Sequence, residues 1–316
     1  MLNNTVFKTI LLSIISFVLL SYHNSFDIVN ELRKNTKFIK VNDIDIAYRE
    51  FGKENINSGT IVFLHGFTGS STDWNYVVSN VSKNYHCITI DIPPFGLSEK
   101  SREFDYSDKN IVDVLIETIN KLKIEKFTIV GHSMGGYLSI LISNKIPEKV
   151  NKLILIDSAF NYPREGQFIN LQSSETPNHT IFLSSPFELS ILLDILLKIY
   201  PLLKYVYISS VGTGDILDTN HFDFLFSQNF FLPSEILVKF STDKLNQKIE
   251  PVNFSKFVFP VLIVYGENDN VTSPKIGEFL HSVLPNSQFV LLPGEGHMPL
   301  FNKILVEEIM KFLKEK

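Results

Sequence analysis

The most informative stretch of this chain is Ile129-Val130-Gly131-His132-Ser133-Met134-Gly135-Gly136. An apolar run from Phe127 stops at a glycine, a serine follows, and apolar residues then recur at helical spacing. A Gly-x-Ser-x-Gly string also arises by chance in glycine-containing loops, but the strand before it and the helix after it favour a functional turn. Such a turn strains the serine backbone, and side chains in place of the glycines would collide with strand and helix. We therefore expect the Ser133 hydroxyl at the tip of a sharp turn above a helix N-terminus.

The composition of the 316-residue chain is that of an ordinary globular protein, with 44% hydrophobic and 20% charged residues. The net charge of −5 and the lack of a lysine/arginine cluster argue against a nucleic-acid partner. Because Cys87 is the single cysteine, no disulfide framework exists, and we expect this residue to be buried in a strand. The oligomeric state is left open.

The first 30 residues are expected to lie outside the globular core. Lys8 precedes an apolar stretch from Thr9 to Leu20, which is shorter than the ~20 residues of a membrane span and closer to a signal-peptide core. No small-residue cleavage site follows. We expect an export signal or a short uncleaved anchor, and hence a secreted or envelope-held protein. The alternative, an apolar helix packed on the domain, is disfavoured because the segment is apolar on all faces.

Strands and helices alternate in residues 31–159 and again in 251–316. A hairpin is followed by apolar strands that alternate with helices, which indicates a mostly parallel sheet with right-handed crossovers. Between these parts, residues 160–250 contain several prolines and apolar helical stretches, chiefly 188–208, and predict a helical insertion. The predicted strands are 38–41, 44–51, 60–64, 85–91, 127–130, 153–157, 260–265 and 288–292.

Three chemically suited residues follow strand ends in the order Ser133, Asp269, His297. In an open parallel sheet, functional groups gather at the carboxyl ends of the strands. A serine nucleophile needs a base, and the base needs a carboxylate that orients it. Asp157 also follows a strand and is the alternative carboxylate. His281, within an apolar helical pattern, is the alternative base and is better explained as a structural residue.

Together these motifs resemble the α/β-hydrolase family, and within it the serine esterases and lipases of the monoacylglycerol lipase or carboxylesterase type. The matching segments are His65-Gly66-Phe67, Asp91 to Ser98, Gly131 to Gly136, Gly266 to Asp269 and Gly296-His297. They fall within the chain that follows the N-terminal segment. The resemblance implies an α/β fold with a mostly parallel eight-stranded sheet flanked by helices, and with residues 160–250 inserted as a helical cap.

The resemblance also implies roles for individual residues. Ser133 is expected to be the nucleophile, His297 the base and Asp269 the carboxylate that orients it. The backbone N–H groups of Phe67 and Met134 are expected to form the oxyanion hole. Neither a metal nor a cofactor is expected. Relatives that open epoxides or remove halides use an aspartate at the turn, so the serine disfavours both reactions.

The candidate substrate contacts lie beside the Ser/Asp/His set and in the predicted cap. The contacts are His65 and, in the apolar part of the cap, Ile191, Leu192 and Ile195. For His65, as for His132, a structural hydrogen bond is the better explanation. Asp91 is expected to organise its own loop through backbone N–H groups. The apolar cap predicts an acyl pocket or contact with a membrane surface, and hence an apolar or lipid-like ester as the substrate.

The expected function is hydrolysis of a carboxylic ester through an acyl-enzyme on Ser133. The same groups also support amide or thioester hydrolysis, perhydrolase chemistry and carbon–carbon bond hydrolysis. Phe67 to Ser70 stands where relatives that cleave carbon–carbon bonds usually carry Gly-Pro-Gly, which disfavours the last reaction. A non-catalytic ligand-binding member of the same fold is the alternative from another class of protein.

Overall fold

The computed structural model describes residues 21–160, 198–199, 204, 219–248 and 251–315. Its strands form one sheet with the order β1-β2-β4-β3-β5-β6-β7-β8. The pairs β1–β2 and β2–β4 are antiparallel, and every other neighbouring pair is parallel. The predicted eight-stranded, mostly parallel sheet is confirmed. The strands are β1 (Lys37–Val41), β2 (Ile44–Phe51), β3 (Thr60–Leu64), β4 (His86–Ile90), β5 (Phe127–His132), β6 (Val150–Ile156), β7 (Val261–Gly266) and β8 (Ser287–Leu292).

The described helices flank this sheet on both faces. Helix α1 covers residues 21–34. The others are α2 (Asn75–Val81), α3 (Asp108–Lys121), α4 (Met134–Lys145), α5 (Thr219–Phe230), α6 (Ser234–Asn246), α7 (Pro274–Val283) and α8 (Lys303–Lys314). Side-chain caps define where some of them begin. The Ser107 hydroxyl accepts from the N–H of Asn110 in α3, and the Asn302 side chain accepts from the first turn of α8.

The central strands are apolar throughout because both of their faces are covered. Successive side chains in a strand point to opposite faces. In β3, Val62 and Leu64 pack in the cluster that includes α3, α4 and α7, whereas Ile61 and Phe63 pack in the cluster that includes α2 and α8. Cys87 is buried in the second cluster, as predicted from the sequence. The two apolar layers hold the carboxyl ends of the parallel strands in fixed relative positions.

Helices α5 and α6 lie within the predicted insertion at residues 160–250. In α6 and just before it, Leu232, Ile236, Leu237 and Phe240 are buried in the same cluster as α3 and α4. This part of the region is therefore packed against the sheet domain. The predicted helical stretch at 188–208 and the candidate contacts Ile191, Leu192 and Ile195 lie outside the described residues. The assignment of 160–250 as a cap stays a prediction.

Helix α1 overlaps the end of the segment that the sequence places outside the core. The Tyr22 ring lies 6.1 Å from the Phe230 ring and 5.6 Å from the Phe231 ring, so the described part of α1 packs against the end of α5. The apolar stretch from Thr9 to Leu20 lies outside the described residues. Among the helices that are described, none has both the length and the apolarity needed to cross a bilayer. The export signal or anchor stays a prediction.

Candidate active site

Ser133 occupies the turn between β5 and α4 with φ 51° and ψ −118°. The flanking glycines explain how the chain can turn within one residue. A Cβ on Gly131 would lie 2.3 Å from the Gly135 carbonyl oxygen, and a Cβ on Gly135 would lie 2.2 Å from the Leu64 carbonyl oxygen. Both distances are too short for any side chain. The predicted strand, serine turn and helix are present. The two flanking positions must be glycine for the steric reason anticipated from the sequence.

The structure brings together the three residues that follow the strand ends. His297 Nε2 lies 2.9 Å from Ser133 Oγ, and His297 Nδ1 lies 2.8 Å from Asp269 Oδ2. All three residues are buried, so solvent screens their interactions weakly. This arrangement allows the imidazole to accept the serine proton while the carboxylate stabilises the positive charge that forms on the ring.

Several donors converge on the Asp269 carboxylate. Its Oδ1 accepts from the N–H groups of Val271 and Thr272 at 2.7 and 2.9 Å, and its Oδ2 accepts from Thr272 Oγ1 at 2.7 Å. Burial acts to raise the pKa of Asp269, but the hydrogen bond and charge of His297, with the Thr272 donors, outweigh it and lower the pKa. Asp269 is therefore suited to remain ionised beside the imidazole. Thr272 was not among the residues predicted from the sequence, where its only signal is its position three residues after the aspartate.

The alternative carboxylate, Asp157, lies in a different environment. Its Oδ1 accepts from the Gly266 N–H at 2.8 Å, and its buried Oδ2 has no hydrogen-bond partner among the described residues. Burial, followed by the negative charge of Asp269, raises the pKa of Asp157 well above its ordinary value. The hydrogen-bonding carboxylate partner of His297 is Asp269. The geometry thus favours Asp269 as the orienting acid.

His65 is fully buried and bonded at both ring nitrogens. The Ile92 N–H donates to its Nε2 at 2.8 Å, so Nδ1 carries the proton and donates to the Gly66 carbonyl oxygen at 2.7 Å. Burial lowers the pKa of His65. This placement favours a structural role for His65 over a contact with substrate.

Two further histidines, His132 and His281, differ in their distance from the Ser133 hydroxyl. His132 Nε2 lies 2.7 Å from the His297 carbonyl oxygen and therefore donates to it, which holds the backbone of His297. Burial, and then the charge of His297, lower the pKa of His132 to about 3. His281 lies on α7, where its Nδ1 contacts the Ser287 hydroxyl on the exposed surface. His281 is thus placed as a structural residue of α7.

The two predicted oxyanion donors lie on either side of the serine. Met134 opens α4, so its N–H belongs to the first turn and has no partner within the helix. A Cβ on Gly66 would come within 3.3 Å of Ser133 Cβ, which places the Gly66–Phe67 peptide directly against the serine. No described group accepts from the Phe67 N–H.

The orientation of the Phe67 N–H is fixed from the other end of its peptide unit. The Gly66 carbonyl oxygen accepts from His65 Nδ1–H and from the Gly69 N–H at 3.1 Å. In a trans peptide the C=O and the following N–H point in opposite directions. The two bonds to Gly66 therefore also determine where the Phe67 N–H points.

Asp91 organises its own loop, as expected from the sequence, and also contacts the segment after β3. Its Oδ1 accepts from the Ser71 N–H at 2.6 Å and its Oδ2 from the Leu97 N–H at 2.7 Å. Gly96, with φ 58°, packs so closely that a Cβ would lie 2.3 Å from the Asp91 carboxylate. Asp91 thus ties the loop after β4 to the segment that follows β3.

A serine, a histidine and a carboxylate at the strand ends of such a sheet are the arrangement of a serine-dependent hydrolase. A model of the α/β-hydrolase fold matches residues 59–304, and the chain belongs to this family. The uncharacterized hydrolase YugF of Bacillus subtilis is 27% identical over 276 residues, which cover 87% of this chain and 96% of that protein. Lipase 3 of Moraxella sp. (strain TA144) is 23% identical over 256 residues, which cover 79% and 75%.

Solved structures share the fold as well. The crystal structure of a bacterial membrane phospholipase A aligns with a TM-score of 0.72 at 20% identity, over 98% of this chain and 97% of that one. The family resemblance drawn from the motifs is confirmed, and the protein is a hydrolase of this family.

Proposed function

We propose that the protein hydrolyses carboxylic esters through an acyl-enzyme on Ser133. The observation that carries this proposal is the continuous set of contacts from Ser133 Oγ to His297 Nε2, at 2.9 Å, and from His297 Nδ1 to Asp269 Oδ2, at 2.8 Å. A hydroxyl is a weak nucleophile unless a base removes its proton, and this geometry supplies the base. The relatives named as lipases are consistent with esters as the substrates.

The chemistry follows from these contacts. As Ser133 Oγ attacks the ester carbonyl, its proton passes to His297 Nε2, and Asp269 stabilises the imidazolium. The N–H groups of Phe67 and Met134 donate to the oxyanion of the tetrahedral intermediate. His297 then gives the proton to the departing alkoxide, which leaves as an alcohol. Water, deprotonated by the same histidine, attacks the acyl-enzyme, and the carboxylic acid and free Ser133 result.

We further propose that the acyl group is apolar or lipid-like. Phe67, whose backbone N–H is a proposed oxyanion donor, has a side chain that is 49% exposed. It packs against Phe95 and Phe240, at ring separations of 5.3 and 5.8 Å. An exposed aromatic surface of this kind suits an acyl chain better than a polar group. Ile191, Leu192 and Ile195 remain the proposed cap residues of the acyl pocket.

The N-terminal apolar segment leads to a second proposal, which concerns where the enzyme acts. We propose that the segment of residues 1–30, through the apolar run that it contains, directs the protein out of the cytosol or holds it at a membrane. The support is the apolar run from Thr9 to Leu20 behind Lys8. An enzyme for lipid-like esters gains from being held near its substrate.

The test of the proposed function uses p-nitrophenyl esters from acetate to palmitate. The wild-type protein should turn over, and Ser133→Ala should lower kcat by about 10⁵-fold or more, since the nucleophile is lost. Ser143→Ala, a buried serine later in α4, is the matched control and should keep full activity. A fluorophosphonate probe should label the wild type and Ser143→Ala but not Ser133→Ala.

Two results would count against separate parts of the proposal. If the wild type neither hydrolyses any ester nor reacts with the probe, the hydrolase assignment of Ser133 is wrong. If it hydrolyses acetate faster than every longer ester, the ester activity stands and the apolar acyl group is wrong.

A further inference from the structure

The last turn of α5 contacts the loop that carries the proposed oxyanion donor Phe67. Asn229 Nδ2 donates to the Thr68 carbonyl oxygen at 2.9 Å. Gln228 Nε2 donates to the hydroxyls of Ser70 and Thr72 at 3.0 and 3.3 Å. Both amides are buried. Because a buried amide is costly unless it is hydrogen-bonded, these contacts fix how α5 sits on the loop.

The amide orientations follow from their partners. Asn229 Nδ2 also donates to the Leu225 carbonyl oxygen at 2.8 Å, and Gln228 Nε2 donates to the Phe224 carbonyl oxygen at 3.0 Å. If either amide were rotated, its own oxygen would face these carbonyl oxygens. Each side chain is thus anchored on its own helix and presents its N–H to the loop.

The loop requires such support. Thr68 has φ 57°, a left-handed conformation that a β-branched residue rarely adopts and that persists only where the surroundings hold it. The peptide before Phe67, which carries the Phe67 N–H, is held through the Gly66 carbonyl by His65 and Gly69. Thr68 is the next residue along the chain, and its carbonyl is held by Asn229. The Asn229 contact therefore keeps in place the segment that immediately follows the Phe67 N–H.

We propose that Asn229 and Gln228 are positioning residues that hold this loop so that the Phe67 N–H is aimed at the oxyanion. The inference rests on the proposed function. The proposal adds to the active site a helix within residues 160–250, which lies more than 150 residues along the chain from the loop. A further contact joins α5 to the residue that follows this loop, since His221 Nε2 on α5 lies 3.9 Å from Asp73 Oδ1.

Asn229→Leu tests the proposal because it removes the donor while nearly keeping the side-chain size. We expect kcat to fall about 10- to 100-fold, less than for loss of an oxyanion donor, because the Phe67 N–H remains but is misdirected. KM should change by less than about 3-fold, since ground-state binding is not the interaction removed. The inhibition constant of a trifluoromethyl ketone, whose serine adduct needs the oxyanion hole, should rise in parallel with the loss of kcat.

Asn80→Leu is the matched control. Asn80, on α2, also donates to a carbonyl four residues earlier, that of Tyr76 at 3.0 Å, and its other described contacts are local. Its substitution should leave kcat and the inhibition constant unchanged. Gln228→Met is the second α5 variant, for use if Asn229→Leu does not fold, and should also lower kcat. Equal losses of kcat in Asn229→Leu and Asn80→Leu would show general fold support and overturn the proposal, as would unchanged kcat in both α5 variants.

Hydrogen exchange separates this proposal from the proposed function. Amides in residues 66–72 should exchange faster in Asn229→Leu than in the wild type or in Asn80→Leu. If the wild type proved inactive toward esters, the proposed function would fail while this exchange pattern still showed whether α5 holds the loop. Unchanged exchange in the loop would overturn the inference whatever the activity.

Discussion

At the scale of the residue, the two carboxyl groups after β6 and β7 have opposite protonation tendencies because different groups face them. Asp269 accepts from three donors besides His297, whereas Asp157 accepts from one N–H and lies beside the charge of Asp269. The pKa is lowered in Asp269 and raised in Asp157. The surroundings of Asp269 therefore suit an ionised carboxylate, and those of Asp157 suit a protonated one.

Substitution by asparagine should separate the two carboxyls. Asp269→Asn should lower kcat by about 10⁴-fold, because His297 loses the charge that orients it and stabilises its cation. Asp157→Asn keeps an acceptor for the Gly266 N–H and is neutral like the protonated acid, so kcat should stay within about 3-fold of the wild type. Steady-state kinetics on one soluble ester measure both. An active Asp269→Asn beside an inactive Asp157→Asn would reverse the assignment.

His132 should make the protein less stable in acid. Burial is the largest of the causes that lower the pKa of His132 from 6.5 to about 3. The titratable groups that face its ring are His297, Asp269 and His65. Below pH 6.5 the unfolded chain therefore binds a proton that the folded protein does not. As the pH falls from the unfolded pKa toward the folded pKa, the titration of His132 should lower the free energy of unfolding by about 1.4 kcal/mol per pH unit. Stability is retained above the unfolded pKa and lost as the pH falls.

Urea unfolding of the wild type and His132→Gln checks this prediction. The stability advantage of the wild type should shrink by about 2 kcal/mol between pH 6.5 and pH 5, because the variant lacks the titrating ring. The pKa of His65 is also lowered, so the variant should keep part of the acid dependence. Parallel stability curves for the two proteins would show that His132 does not titrate on unfolding.

At the scale of the element, the glycines around Ser133 determine whether β5 can lead into α4. Gly135→Ala places a Cβ 2.2 Å from the Leu64 carbonyl oxygen, which belongs to rigid backbone in β3. We expect a loss of about 2 kcal/mol or more in the free energy of unfolding, together with loss of activity. In the same helix, the buried Ser143 hydroxyl has no described partner, so Ser143→Ala should be neutral or slightly stabilising. Denaturant unfolding measures both, and a Gly135→Ala protein of wild-type stability would contradict the steric argument.

Much of the element pattern could be predicted from the sequence because buried parallel strands are continuous apolar runs and helices carry apolar residues at helical spacing. Phe127 to Val130 and Thr60 to Leu64 were predicted in this way, within two residues of their observed ends. Strand order was not predicted, since no local pattern shows that β3 lies between β4 and β5. The contact of Asn229 with Thr68 was missed for the same reason: it joins residues 161 positions apart.

At the scale of the whole molecule, the proposed chemistry and the N-terminal segment occupy separate parts of the chain. Ser133, Asp269, His297 and the donor loop all lie within the residues that the structure describes, and the apolar run Thr9 to Leu20 precedes them. Helix α1 joins the two, with Tyr22 packed against Phe230 and Phe231. Removal of residues 1–20 should therefore change where the enzyme acts and leave its chemistry unchanged.

Sedimentation with phosphatidylcholine vesicles tests this separation. The full-length protein should sediment with the vesicles, because each buried methylene of the apolar run contributes about 0.8 kcal/mol to membrane binding. Protein that begins at Ser21 should remain in solution and keep its kcat on a soluble ester within about 2-fold. Leu11→Glu with Ile14→Glu, in the full-length chain, is the matched control and should also remain in solution, since charges in the apolar run oppose insertion. If all three proteins sedimented alike, membrane contact would arise from the rest of the chain, and the apolar surface around Phe67 would become the first region to substitute.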